Sequence, residues 1–148
     1  MLNFLASEKA AIRSLFRRFG FGECTDEMIS RYSAINVSYW QALERNEYEK
    51  SEMLVLRFRD FFALEGLDTS RAESFNEAYQ LALGDTIVFC PGAEEVLEKL
   101  KGSFIFAAIT NGTRAAQTKK LAASGLDKIF DYVFISEELG AEKPNRDF

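Results

Sequence analysis

A chain of 148 residues is long enough for one domain with a sizeable core, or for two small lobes. Its 47% hydrophobic and 28% charged content is that of a folded globular protein rather than a disordered one. A net charge of −5 argues against a nucleic-acid surface, and the absence of histidine excludes Ser-His-Asp triads, histidine-ligated zinc and imidazole acid–base work.

The chain opens with MLNFLASEKAAIR, which lacks the basic head, apolar run and cleavage site of a signal peptide. No apolar run in the sequence approaches the roughly 20 residues of a membrane span. The expected location is cytoplasmic, with neither membrane nor nucleic acid as a partner. ASEKAAIRSLFRRFG then spaces Ala11, Leu15, Phe16 and Phe19 on one helical face, with Gly20 as its C-terminal cap. Arg17-Arg18, like Lys119-Lys120 further on, reads as a solvated helix face.

A second helix starts behind Thr25 as N-cap, with Asp26 and Glu27 in its first turn. Met28, Ile29, Tyr32, Ile35, Tyr39, Trp40 and Leu43 recur in it at helical spacing and read as core. EKSEMLVLRFRDFFALEG repeats the pattern and stops at Gly66. A fourth helix follows Ser70, whose capping box pairs with Glu73, and runs to Gly84. Together these predict a small helical bundle rich in phenylalanine. Cys24 and Cys90 have no metal or redox spacing and read as free, buried thiols.

After Asp85 the pattern changes. TIVFCPG is extended and leads into Pro91, at the first turn of a helix in GAEEVLEKLKG. An apolar strand follows from Phe104 to Ile109, continuous as in buried parallel sheets. A helix from about Thr113 to Ser124 ends at Gly125, and YVFIS is a further short strand. Strand, helix, strand at this spacing is a βαβ unit, right-handed by rule. The expected division is a helical domain over residues 1–85 and an α/β portion over residues 86–148.

Two readings of Thr110-Asn111-Gly112 stand. The turn caps a helix, or it forms an anion site from the amides of a helix that Asn111 and Gly112 begin. In the second reading the Thr110 hydroxyl adds a hydrogen bond and Gly112 admits close approach of a ligand. Lys143, in GAEKPNRDF, follows the next strand at the same carboxyl edge, where loops of a βαβ unit converge. A cation there neutralises a phosphoryl group held at the Thr110 turn. Competing nucleotide motifs fail: there is no P-loop, and FGFGEC follows a helix rather than a strand.

The helical bundle, then FCPGAEEVLEKLK, then the strand ending in Thr110, then EKP around Lys143, resembles the haloacid dehalogenase (HAD) superfamily with a helical cap, and within it the pyrimidine 5'-nucleotidase-like phosphatases. The resemblance covers essentially the whole chain. It implies an α/β fold class: an incomplete HAD-like Rossmannoid core, represented by a parallel βαβ portion, with a helical-bundle cap. Thr110 matches the second motif, whose hydroxyl and following amide bind phosphate, and Lys143 matches the third. The resemblance thus implies a phosphomonoester hydrolase, a nucleoside 5'-monophosphate phosphohydrolase, working through an aspartyl-phosphate with Mg²⁺. Its site residues here are Thr110 and Lys143 as catalytic groups and Thr110, Asn111 and Gly112 as substrate-binding ones.

The departures from the family are as informative. The family's nucleophile and its acid–base group are the two aspartates of Asp-x-Asp-x-Thr, and this sequence contains no Asp-x-Asp. Glu137, Glu138, Glu142 and Asp147 match no family metal ligand, so no metal residue is carried over. MLNF resembles the segment just after the nucleophile motif, and Phe148 precedes the late acidic motif, so the expectation is truncation at both ends. The alternative function is then a non-catalytic polypeptide with weak anion binding or protein association. The family places a strand directly beside Phe104 to Ile109. Without that neighbour the strand edge is a template for self-association.

Overall fold

The computed structural model describes residues 1–146, so Asp147, noted above as matching no metal ligand, lies outside the described residues. The chain divides into two compact units. One is Ala11–Tyr79; the other joins Met1–Ala10 to the chain from Gln80 onward.

The Ala11–Tyr79 unit is helical because its apolar residues recur at three- and four-residue steps. α1 (Phe4–Arg18) brings Ala11, Ile12, Leu15 and Phe16 into it, all buried. α2 (Asp26–Glu44) buries Ile29 and Tyr32, while Tyr39, Trp40 and Leu43 are half-buried. α3 (Lys50–Glu65) buries Met53, Leu54, Arg57, Phe58, Phe61 and Phe62, two rows of one face. α4 (Ala72–Asp85) contributes Phe75 and Tyr79. Edge-to-face ring pairs hold the centre: Phe62–Phe75 at 5.1 Å and Phe58–Tyr79 at 5.0 Å between centroids. Such pairs add about 0.5–1.5 kcal/mol each beyond the area they bury.

Caps set the ends of these helices. The Thr25 hydroxyl accepts the Met28 amide at 3.3 Å. Gly20 and Gly66 take left-handed backbone, and the residue after each returns its amide to a carbonyl five residues back: Phe21 to Phe16 at 2.9 Å, Leu67 to Phe62 at 2.8 Å. The Ser70–Glu73 capping box does not form. Asp68 takes over: its carboxylate accepts both the Ser70 amide (3.0 Å) and the Ser70 hydroxyl (2.7 Å), tightening Thr69–Arg71 into a 3₁₀ turn ahead of α4. A carboxylate is the stronger acceptor, and these two bonds hold Asp68 below the usual carboxylate range, the hydroxyl contributing most.

In the second unit the expected extended run before Pro91 is held by the chain start. Asn3 donates to the Val88 carbonyl at 2.6 Å and Cys90 to that of Met1 at 2.7 Å, with Leu2 bridged antiparallel to Phe89. These bonds are why the first ten residues group with this unit. Pro91 lies ahead of the helix rather than in its first turn, because Gly92, left-handed at φ 76°, is the N-cap of α5 (Ala93–Leu100). Two parallel strands follow, β1 (Ala107–Thr110) and β2 (Tyr132–Ile135), in the register Ala107 to Tyr132 and Thr110 to Ile135. α6 (Arg114–Ser124) connects them, ending at left-handed Gly125, and α7 (Ser136–Leu139) follows β2.

The first strand begins later than its apolar pattern predicts. The Phe106 amide is taken by the Asp131 carboxylate at 2.8 Å, and Phe104 and Ile105 stand outside the strand. Nor is this stretch buried: Ile105, ahead of the strand, is 77% exposed, and Ile109, within it, is 52% exposed. A parallel strand is buried by neighbours and covering helices, and among the described residues this sheet has two strands. Lys120 corrects the solvated-face reading of Lys119-Lys120. It is 6% exposed, its ammonium 5.5 Å from the Phe4 ring centroid, and burial holds its pKa below the usual lysine value. Lys119 pairs with Asp85 at 2.7 Å. Both cysteines are free, Cys24 buried and Cys90 half-buried.

Candidate functional site

The parallel register carries the chain out of β1 and out of β2 at one edge, since Thr110 and Ile135 are partners. β1 delivers Thr110-Asn111-Gly112 there. β2 delivers Ser136 through α7 and then, past Gly140, Lys143 in a turn. The structure brings all four sequence-predicted residues together. The Lys143 ammonium donates to the Ile109 carbonyl at 2.9 Å. Asn111 Nδ2 donates to the Lys143 carbonyl at 2.8 Å, and the Lys143 amide donates to Asn111 Oδ1 at 2.9 Å. The Gly112 amide lies 3.4 Å from the Thr110 hydroxyl oxygen, which accepts from it.

The helix start differs from the expectation. Asn111 and Gly112 precede α6 rather than begin it; Thr113 is the N-cap, accepting the Ala116 amide at 3.4 Å and donating to Gln80 Oε1 at 3.1 Å. The first helical amide, of Arg114, donates to the Glu137 carboxylate at 2.7 Å. A carboxylate at the positive end of a helix is stabilised by the dipole, and here it takes the place an anion would occupy. Glu138 pairs with the Arg114 guanidinium at 3.0 Å, a second link between the same loops. A Cβ on Gly112 would collide with the Gln117 side chain. The absence of a side chain at Gly112 thus makes room for Gln117.

Glu137 was missed in the sequence as a functional contact. The signal for it is its place directly after β2, at the edge where Thr110 also ends, since parallel register brings those positions together.

The residues do not by themselves fit a magnesium ion. A hard cation needs several convergent oxygens, and among the described residues no group of three or more His, Cys, Asp or Glu side chains is placed to hold a metal. Glu137 and Glu138 are committed to Arg114. What the edge presents is two donors of the kind anions take: an exposed lysine ammonium and a threonine hydroxyl border one turn, each with a proton left to donate. Among the described residues no helix is long and apolar enough to cross a membrane.

The chain is 29% identical over 148 residues to the HAD-hydrolase YfnB of Bacillus subtilis, covering all of this chain and 62% of that protein. It is 32% identical over 146 residues to the pyrimidine 5'-nucleotidase PynA of Streptococcus pneumoniae, covering 98% of this chain and 61% of PynA. It is 30% identical over 122 residues to the pyrimidine 5'-nucleotidase YjjG of Escherichia coli, covering 82% and 53%. The chain thus spans about three-fifths or less of the length of these relatives. A solved structure of YfnB, described as bound to magnesium, superposes with a TM-score of 0.87 at 28% identity over 99% of this chain and 65% of that one. Residues 3–148 match the family of haloacid dehalogenase-like hydrolases, and the chain belongs to it.

Proposed function

We propose that this chain supplies the phosphate-binding edge of a phosphomonoester hydrolase whose substrates are nucleoside 5'-monophosphates, pyrimidine nucleotides first. The observation that carries the reading is the meeting of the Lys143 ammonium with the end of β1, at the Ile109 carbonyl one residue before Thr110. An ammonium has three protons, and one bond to Ile109 leaves two for phosphoryl oxygens. The Thr110 hydroxyl accepts from Gly112 and keeps its own proton to donate. Two such charge-assisted bonds orient a phosphoryl group and offset charge that builds during transfer. PynA and YjjG, both named pyrimidine 5'-nucleotidases, support the choice of substrate class.

For the 148-residue polypeptide taken alone, the reading is narrower: anion binding without turnover. Its sequence holds no Asp-x-Asp to accept a phosphoryl group. The test is release of phosphate from pyrimidine nucleoside 5'-monophosphates with Mg²⁺. The chain as it stands is expected to release none above background. Turnover that survives purification and disappears in Lys143→Ala would overturn the narrower reading. A chain extended by an Asp-x-Asp-x-Thr strand before Met1 and an acidic-motif strand after Phe148 is expected to be active. A folded, extended protein inert on nucleotides and sugar phosphates would overturn the phosphatase reading itself.

A further inference from the structure

We propose that Asn111 is not a phosphate ligand but a positioning residue, whose side-chain amide clamps the backbone of Lys143 and so sets where its ammonium sits. The part of this proposal that concerns anion affinity rests on the phosphate reading above; the clamp itself does not.

The geometry is reciprocal. The Asn111 amide donates through Nδ2 to the Lys143 carbonyl (2.8 Å) and accepts through Oδ1 from the Lys143 amide (2.9 Å). A primary amide presents the same donor and acceptor pair as a peptide group, so the pair works as one rung of a sheet supplied by a side chain. It joins positions 32 apart in the chain, and Lys143 lies in a turn outside any helix or strand. The side chain of Lys143 then returns to the Ile109 carbonyl at 2.9 Å. Residue 143 is thereby held at its amide, its carbonyl and its ammonium, all against residues 109–111.

This matters because lysine is among the costliest side chains to order. An exposed lysine on an unfixed turn spreads its ammonium over many rotamers. Fixing both backbone groups leaves the side chain a short, defined path to the β1 end and lowers the entropy lost when an anion binds. Both groups of the Asn111 amide face Lys143 in this arrangement, so the side chain serves the lysine first.

The experiment uses the full 148-residue chain with Asn111→Ala, Asn111→Asp, Lys143→Ala and the Asn111→Ala/Lys143→Ala double variant. Amide hydrogen exchange at Lys143 reads the clamp without any ligand. It is expected to speed up by roughly tenfold in Asn111→Ala, the effect of one lost hydrogen bond. In Asn111→Asp, which keeps an acceptor for that amide, protection is expected to remain, and this variant stands in if Asn111→Ala does not fold. Unchanged exchange in Asn111→Ala, or protection lost equally in Asn111→Asp, would overturn the clamp.

Inorganic phosphate, titrated by amide shifts at residues 110–113, reads the consequence. Asn111→Ala is expected to weaken binding by roughly fivefold to tenfold, the scale of coupling between contacting residues, and to add nothing in the Lys143→Ala background. Losses that add would show Asn111 binding phosphate on its own account and overturn the proposal. If the parent chain binds no phosphate yet exchange at Lys143 responds as expected, the clamp stands and the phosphate reading fails.

Discussion

The two units put similar residues to different use. In Ala11–Tyr79 the large apolar side chains are inside: Phe16, Phe58, Phe61, Phe62, Phe75, Tyr32 and Tyr79 are each 0% exposed. In the strands of the other unit residues as apolar lie open, with Ile109 52%, Tyr132 57% and Phe134 41% exposed. The lesson is one of reach. An amphipathic helix finishes its own hydrogen bonds and needs only one apolar face to pack. A strand needs a neighbour at each edge and cover on each face, so its apolar residues are buried only by whatever other elements supply.

The sharpest way to break this comparison is a pair of truncations. Phe58→Ala is expected to destabilise its unit by about 3–5 kcal/mol, from lost burial and the cavity left behind. Ile105→Ala is expected to change stability by less than about 0.5 kcal/mol, as an exposed position does. Denaturant unfolding followed for each unit checks both, and comparable losses would show that Ile105 is buried in solution.

Association comes next in size. We expect the open strands to make the chain associate with its own copies, and Ile109→Lys to weaken that association by about tenfold through like charges brought together. Sedimentation velocity at several concentrations measures it; a monomer at every concentration would mean the edge is covered. A smaller effect lies in the helical unit. Burial pushes the Cys24 thiol from 9.0 to about 11, so the folded chain keeps this proton over a range in which the unfolded chain sheds it. The stability contribution is therefore present below about 9 and lost as pH rises toward about 11. Cys24→Ala is expected to flatten the alkaline loss of stability, and an unchanged slope would refute the assignment.

The smallest expected effects are at the caps. Thr25→Ala in one unit and Thr113→Ala in the other should each cost about 1 kcal/mol, since each hydroxyl satisfies one helix amide. Equal losses would show that the units differ in how they bury side chains and not in how they end helices. A loss several-fold larger at Thr113 would assign weight to its bond with Gln80.

Much of this was legible in the residues. Thr25 as a cap, the stops at Gly20, Gly66 and Gly125, and the three- and four-residue rhythm of α3 depend on neighbours within one or two helical turns. Periodicity and capping chemistry report that local physics directly. The order of the Thr110 turn and Lys143 behind a helical region pointed to the family for a different reason, being a pattern of motifs rather than of energies. Other features turn on competition between local partners. The pattern favours Ser70 as a cap, but Asp68 is the better acceptor, and only the folded turn shows which one wins.

What the tertiary structure alone decided are the partners across the chain. Arg57 is a charge 2% exposed, donating to Asn36 at 2.7 Å and stacked 5.0 Å from the Phe58 ring centroid. Lys120 is buried against Phe4, Glu137 caps the Arg114 amide, and Asn111 clamps Lys143. None of these has a local signature, because each pair is set by the parallel register of β1 and β2 or by the packing of one element on another. Helices and their ends are written in contacts between near neighbours. Which charge is buried, and which amide holds the lysine, depends on contacts that exist only after the chain has folded back on itself.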